Sequence, residues 1–369
     1  MKVVHVNTEK TWRGGESQVF NLMRGLARLG HEPKLVALPG GALARRCREE
    51  GIPVFELAMR SDADLPAALR LAHHLNQHPC DILHAQTARA HSIGLLARIL
   101  GVRAKLVVSR RIDFPVRRDP FNQWKYRSRL VDRFIPVSEN IRGILLAAGV
   151  EPRRVTVINS SIDLERFTGV GNHRDDVRHE LGLPLSAPVI GNVAALAWHK
   201  GQKDLIAAMP GVLRVMPETR LVIVGEGDQR ESLTKQTVEL ELQDRVIFTG
   251  MRHDVPRLLT AFDLFCMPSY LEGLCNSVLE AFAMKVPVVA TRAGGLPEIV
   301  RHEETGLLTP PNDPQMLAEA LVRVLSDHSL AAVMGEAGQR LVHERFGVDM
   351  MVKLTSALYE SLTNSAQDS

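Results

Sequence analysis

Two carboxylates bracket the segment Glu272-Gly273-Leu274-Cys275-Asn276-Ser277-Val278-Leu279-Glu280. The apolar run Leu264–Pro268 before it reads as a strand, and the residues from Asn276 onward read as a helix. Unpaired N–H groups and the positive dipole end make a helix start of this kind an anion site, suited to a diphosphate. Gly273 lets the backbone come close to such an anion. Glu280, one turn into the helix, is placed to accept hydrogen bonds from ribose hydroxyls, and Glu272 on the loop to do so from a sugar being transferred. A second reading stays open. Ser277-Val278-Leu279-Glu280 also matches a capping box, in which Glu280 only ties up the helix start.

These residues need a frame. The chain alternates short β-branched runs with longer helical patterns, which is the signature of parallel sheets wound with helices. In the first half strands are expected at Lys2–Asn7, Glu32–Leu38, Ile82–His84, Leu106–Ser109, Arg133–Val137 and Val155–Asn159, with a helix at Glu16–Leu29 closed by Gly30. The charged, Gly- and Pro-bearing stretch Asp163–Ser186 reads as a linker. Strands resume at Val189–Leu196, Leu221–Val224, Val246–Thr249, Leu264–Pro268 and Val286–Thr291. The expected architecture is α/β, with two doubly wound Rossmann-like domains at 1–165 and 188–345. Open sheets bind ligands at the carboxyl ends of their strands, so two facing sheets imply a cleft. His84 and His91 fall at the end of a predicted strand and are candidate substrate contacts there.

Composition narrows the class. A hydrophobic share of 45% with 24% charged residues suits a globular protein and rules out a disordered one. The four scattered cysteines form no Cys-x-x-Cys, no histidines cluster at ligand spacing, and no Asp-x-Asp stands at a strand end. A reducing, cytoplasmic setting and no required metal are therefore expected. No apolar stretch is long enough to span a membrane. Charge is uneven: residues 1–170 hold 27 of the 45 Lys and Arg but only 16 of the 42 Asp and Glu. The basic share concentrates in Arg103–Arg133, where Arg110, Arg111, Arg117, Arg118 and Lys125 interleave with Phe114, Phe121, Trp124 and Tyr126. That mixture suits an anionic membrane face or an acidic glycolipid. It would also suit single-stranded nucleic acid, though an ordinary solvated face is the commonest meaning of a charge run.

The motif segment continues as Ala281-Phe282-Ala283-Met284-Lys285-Val286-Pro287-Val288-Val289-Ala290-Thr291. Further on come Ala293-Gly294-Gly295-Leu296-Pro297-Glu298 and Glu304-Thr305-Gly306. This order resembles the retaining GT-B glycosyltransferases with a Glu-x7-Glu motif, family 4 of the group 1 type. The resemblance implies that Gly14-Gly15 is the glycine-rich loop near a donor phosphate, and that Lys200, ahead of Gly201, is the donor-phosphate lysine. It also aligns Gly225-Glu226-Gly227, and implies that the helix Val348–Leu362, or 348–369 in full, packs back on the first domain. Three positions depart from the pattern. Ala195 stands where an Arg is usual, so Arg252, Arg110 or Arg111 would have to supply the second cation. Ser109-Arg110-Arg111 replaces a His-bearing turn, and Ser160-Ser161 replaces Asn-Gly before Asp163.

What the resemblance implies is a metal-independent, retaining transferase taking its sugar from a nucleotide diphosphate sugar, UDP before GDP. Glu272 and Lys200 would carry the catalytic roles. Gly14, Gly15, Gly225, Arg252 and the run Gly273-Leu274-Cys275-Asn276-Ser277 with Glu280 would hold the donor. His84, His91, Arg110 and Arg111 would meet a glycan or lipid-linked anionic acceptor, of the kind used in lipopolysaccharide or other envelope biosynthesis. Peripheral contact with the inner membrane fits the basic aromatic patch, and nucleic acid is not the expected partner. An epimerase-like relative or a non-catalytic nucleotide-sugar binder are the alternatives.

Overall fold

A computed structural model describes residues 1–364 and divides them into two compact units. The first comprises Met1–Ser161 together with the chain from Val348 on, and the second Ile162–Gly347.

The first unit holds β1 (Lys2–Asn7), β2 (Glu32–Ala37), β3 (Val54–Glu56), β4 (Ile82–Ala85), β5 (Lys105–Arg110) and β6 (Arg133–Pro136). They form one parallel sheet in the order β3-β2-β1-β4-β5-β6. The second unit repeats the plan with β7 (Val189–Val193), β8 (Arg220–Val224), β9 (Val246–Gly250), β10 (Leu264–Met267), β11 (Val288–Thr291) and β12 (Gly306–Thr309), in the order β12-β11-β10-β7-β8-β9. Helices cover both faces of such sheets, which is why the central strands read as unbroken Val, Ile and Leu runs instead of alternating patterns. Either sheet changes direction once, between β1 and β4 and between β7 and β10. Those switch points are where loops diverge and leave room for a ligand.

The helix Val348–Asn364 lies on the first unit, where Met351, Val352, Leu358, Tyr359 and Leu362 join Val3, Leu22, Leu26, Ile82 and Val107 in one apolar cluster. Residues 365–369, the rest of the expected helix, lie outside the described residues.

Three expectations are corrected. Val155–Asn159 is not a strand: Thr156 and Ile158 donate to the Phe134 and Pro136 carbonyls, but Pro136 has no N–H to return, and only an isolated bridge forms. The short β3 and β12 escape detection because neither shows an alternating or long apolar run. The stretch read as a linker belongs to the second unit. Its helix Arg174–Glu180 carries Arg178, fully buried, which donates to the Ala261, Leu185 and Ala187 carbonyls and pairs with Asp263. A charged residue so well partnered can be buried, and it fastens the segment to the domain.

Candidate active site

In the second unit, the loops after β7 and β10 meet at the switch point. After β7 the chain makes a short turn, Trp198–Lys200, and then Gly201 opens the helix Gln202–Val215. Gly201 has φ of +69°, and a Cβ there would overlap the Pro268 carbonyl oxygen at the end of β10. Only glycine permits that approach, and it sets Lys200 against the β10 loop. Lys200 Nζ lies 2.6 Å from Glu272 Oε2, and Ser269 Oγ donates to the same oxygen at 3.3 Å. Both side chains are largely buried, at 18% and 10% exposure. Glu272 is fixed further by its carbonyl, which accepts from Gly295 N–H at 2.8 Å, while Thr291 Oγ1 donates to the Ser269 carbonyl.

The loop then feeds the helix Asn276–Ala283. Cys275 is its N-cap and makes no side-chain capping hydrogen bond. Ser277 and Glu280 therefore lie inside the helix and form no capping box. The first-turn N–H groups remain the site's positive edge. Asn276 Oδ1 is buried there without a hydrogen-bond partner. The Cys275 thiol is pushed up to about 12, first by burial and then by Glu272, so it is not a nucleophile at neutral pH.

Glu280 differs from Glu272. Burial raises its carboxyl to about 7, opposed only by the Arg166 guanidinium 3.7 Å away. A buried carboxylate with so loose a partner has acceptor capacity left over for a ligand hydroxyl.

The other expected donor residues fall in different places. Gly225 has φ of +142°, and a Cβ would overlap the Ala194 carbonyl oxygen, so close packing of two loops already demands glycine there. Arg252 is paired with carboxylates of its own unit. Asp254 takes it through two hydrogen bonds at 2.8 and 2.7 Å, and Glu180 through a third at 2.6 Å.

In the first unit Gly14 and Gly15 open the helix Gly14–Arg28 directly after the β1 loop. Glu16, in the same turn, accepts from Arg13 N–H at 3.1 Å. Arg111 reaches over Gly15 and donates to the Gln86 carbonyl at 2.9 Å and to Gln86 Oε1 at 2.6 Å. Gln86, which follows β4, is held in turn by His5 Nδ1 at 2.9 Å. Sequence reasoning missed Gln86, Ser269 and Arg166. Ser269 alone carried a signal, its place beside the motif.

His84, His91 and Arg110 are corrected as acceptor contacts. His84 is buried between Tyr359 Oη at 2.6 Å and Ser109 Oγ at 2.8 Å. His91 is buried edge-on to the Tyr126 and Phe134 rings. Burial holds both well below the usual histidine range, and their side chains point into the core that the strand ends enclose. Arg110 is buried on Tyr126 Oη and the Phe114 carbonyl. Of the four, Arg111 is the one left half-buried at the carboxyl edge.

Comparison with known proteins identifies the family. Residues 12–166 match the family model Glycosyltransferase Family 4, and residues 173–341 match Glycosyl transferases group 1. A lipopolysaccharide core biosynthesis glycosyltransferase, LpsE, from Rhizobium meliloti is 28% identical over 94% of this chain and 95% of its own length. A GDP-mannose-dependent monoacylated alpha-(1-6)-phosphatidylinositol monomannoside mannosyltransferase from Corynebacterium glutamicum is 34% identical over 54% of each chain. The crystal structure of Anabaena Alr3699/HepE in complex with UDP-glucose is similar at a TM-score of 0.86 and 25% identity, covering 98% of this chain and all of that one.

Proposed function

This chain belongs to the group 1, family 4 glycosyltransferases of the GT-B fold, and from that premise we propose that it transfers a sugar with retention of anomeric configuration from a nucleoside diphosphate to an anionic, lipid-linked glycan. The observation that carries the reading is the pairing of Lys200 with Glu272, 2.6 Å apart, beside the helix start at Asn276. In this reading the diphosphate occupies the N–H groups from Leu274 to Ser277 and draws Lys200 away from Glu272. Glu272, so released, turns to the donor sugar, and Glu280 accepts from the ribose.

Transfer breaks the bond between the sugar's anomeric carbon and the diphosphate oxygen. The acceptor oxygen bonds to that carbon from the same face, and its proton passes to the departing diphosphate. Charge gathers on the leaving group, where Lys200 and the helix start meet it, so no metal is needed for this step. Once Lys200 has moved to the diphosphate, Glu272 serves as a hydrogen-bond acceptor for the donor sugar, with Ser269 Oγ still donating to its carboxylate.

Uridine is the favoured base, supported by the UDP-glucose complex of the Anabaena protein, although the Corynebacterium relative uses GDP-mannose. A thermal-shift panel of UDP- and GDP-sugars tests the donor. A ligand at 100 times its Kd adds about 2.7 kcal/mol of apparent stability. A UDP-sugar should raise Tm by several degrees and the matched GDP-sugar by less; the reverse order would overturn the choice of base.

The acceptor belongs to the first unit in this reading, with Arg111 at its carboxyl edge. Around the helix Pro120–Arg127 that unit exposes Ile112, Phe114, Phe121 and Trp124 among Arg117 and Arg118. Aromatic rings among cations suit the interface of an anionic membrane, where a lipid-linked acceptor resides. The double variant Phe121→Ser/Trp124→Ser should lower binding to phosphatidylserine-containing vesicles roughly 10-fold, on the area-burial scale for two aromatics half withdrawn from water. Unchanged co-sedimentation with those vesicles would remove the membrane from the account.

A further inference from the structure

Among the described residues Glu280 has one charged companion, and it comes from a segment outside the motif. The chain after Ser161 enters the second unit through Ile162, which pairs with Gly347, and then makes the short turn Leu164–Phe167. Asp163 caps this turn by accepting from Glu165 N–H at 3.2 Å, and Phe167 buries its ring beneath it. The turn packs on the helix Asn276–Ala283. Arg166 thereby reaches Glu280 at 3.7 Å while its own side chain stays 44% exposed.

We propose that Arg166 is a positioning residue for the donor, holding the Glu280 carboxylate charged and aimed at the ribose hydroxyls. The inference rests on the reading of Glu280 as the ribose acceptor. The other elements packed on this helix offer no substitute. The helix His328–Arg345 meets it through Gly338 against Phe282 and through Gln339, which donates to the Ala283 carbonyl. β10 and β11, which also meet it, carry no charged residue. Among the described residues Arg166 is thus the charge that opposes the cost of burying Glu280.

The physical consequence has a definite sign. Burial favours the protonated carboxyl, and a protonated Glu280 spends one acceptor site on its own proton and accepts more weakly at the rest. Arg166 favours the ionised form. Removing it extends the pH range over which Glu280 is neutral, and that range already reaches about 7 with Arg166 present. Donor affinity must then fall most at neutral pH and return in alkaline solution. An exposed arginine lost from a surface turn would do neither.

The test is donor Kd against pH, measured by calorimetry with a UDP-sugar on wild type, Arg166→Gln, Arg166→Lys, Glu280→Gln and the double variant Arg166→Gln/Glu280→Gln. Arg166→Gln should weaken binding about 5- to 10-fold at pH 7, the coupling expected of one close charge pair. Its acid limb should move to higher pH, and Arg166→Lys should restore most of both. In Glu280→Gln the limb should vanish, and adding Arg166→Gln should then cost little more. A uniform loss in Arg166→Gln with an unmoved limb would overturn the positioning role and leave the ribose assignment standing. Wild-type affinity in Glu280→Gln would instead remove the ribose assignment itself.

Discussion

Lys200→Ala will lower turnover at saturating donor by roughly 10²- to 10³-fold, the range for losing one preorganised charge partner of a developing anion. The lysine is held at 2.6 Å from Glu272 and is largely buried, so its charge acts with little screening by water. The position usually filled by arginine is Ala195, and Arg252 is paired with Asp254 and Glu180. Alanine also leaves Glu272 with Ser269 in place of an ion pair, which costs stability. Lys200→Arg separates the two effects, because it keeps the charge for Glu272 while losing the point geometry at the phosphate. Single-turnover rates at full donor occupancy check the prediction. A Lys200→Ala enzyme that turns over within 3-fold of wild type would mean that the diphosphate leaves without help from this side chain.

Glu280→Gln is expected to separate affinity from stability. One or two hydrogen bonds to a charged acceptor contribute about 1.5–3 kcal/mol, so donor Kd should rise roughly 10- to 100-fold. Folding should respond in the opposite direction. Glu280 titrates near 4.5 when unfolded and at about 7 when folded, so the folded state binds its proton more tightly. The stability this group provides is therefore complete below pH 4.5 and is lost as the pH rises through 7. At pH 8 the ionised, largely buried carboxylate is a net cost of about 3 kcal/mol at 1.36 kcal/mol per pKa unit. Glutamine carries no such cost, so the variant should melt at or above wild type at pH 8 and lose that advantage near pH 5. A variant that melts well below wild type at pH 8 would assign Glu280 a structural part instead.

Much of this was legible in the sequence because it depends on local pattern. The apolar runs of β1, β7, β8 and β10 are long, and the Lys200-Gly201 and Glu272–Glu280 segments follow strands directly. The contact between Lys200 and Glu272 was not legible, since it joins residues 72 apart through a glycine that only the packed loops explain. His84 illustrates the opposite failure. A strand-end position suggested a contact with substrate, but a histidine can equally turn inward when a tyrosine from the chain's last helix meets it. Arg252 looked like a spare cation for the same reason. Nothing local reveals that Glu180, from a supposed linker, folds against it.

A donor site built on Lys200, Glu272 and the helix start at Asn276 should release nucleoside diphosphate as it transfers a sugar. Mass analysis of the nucleotide-sugar that binds best, after incubation with the protein and an anionic envelope-lipid extract, decides whether it does. Free nucleoside diphosphate should accumulate, an extract component should gain the mass of one sugar residue, and both should be suppressed in Lys200→Ala. Tight binding with every donor recovered at its original mass, and no component of the extract made heavier, would contradict the claim.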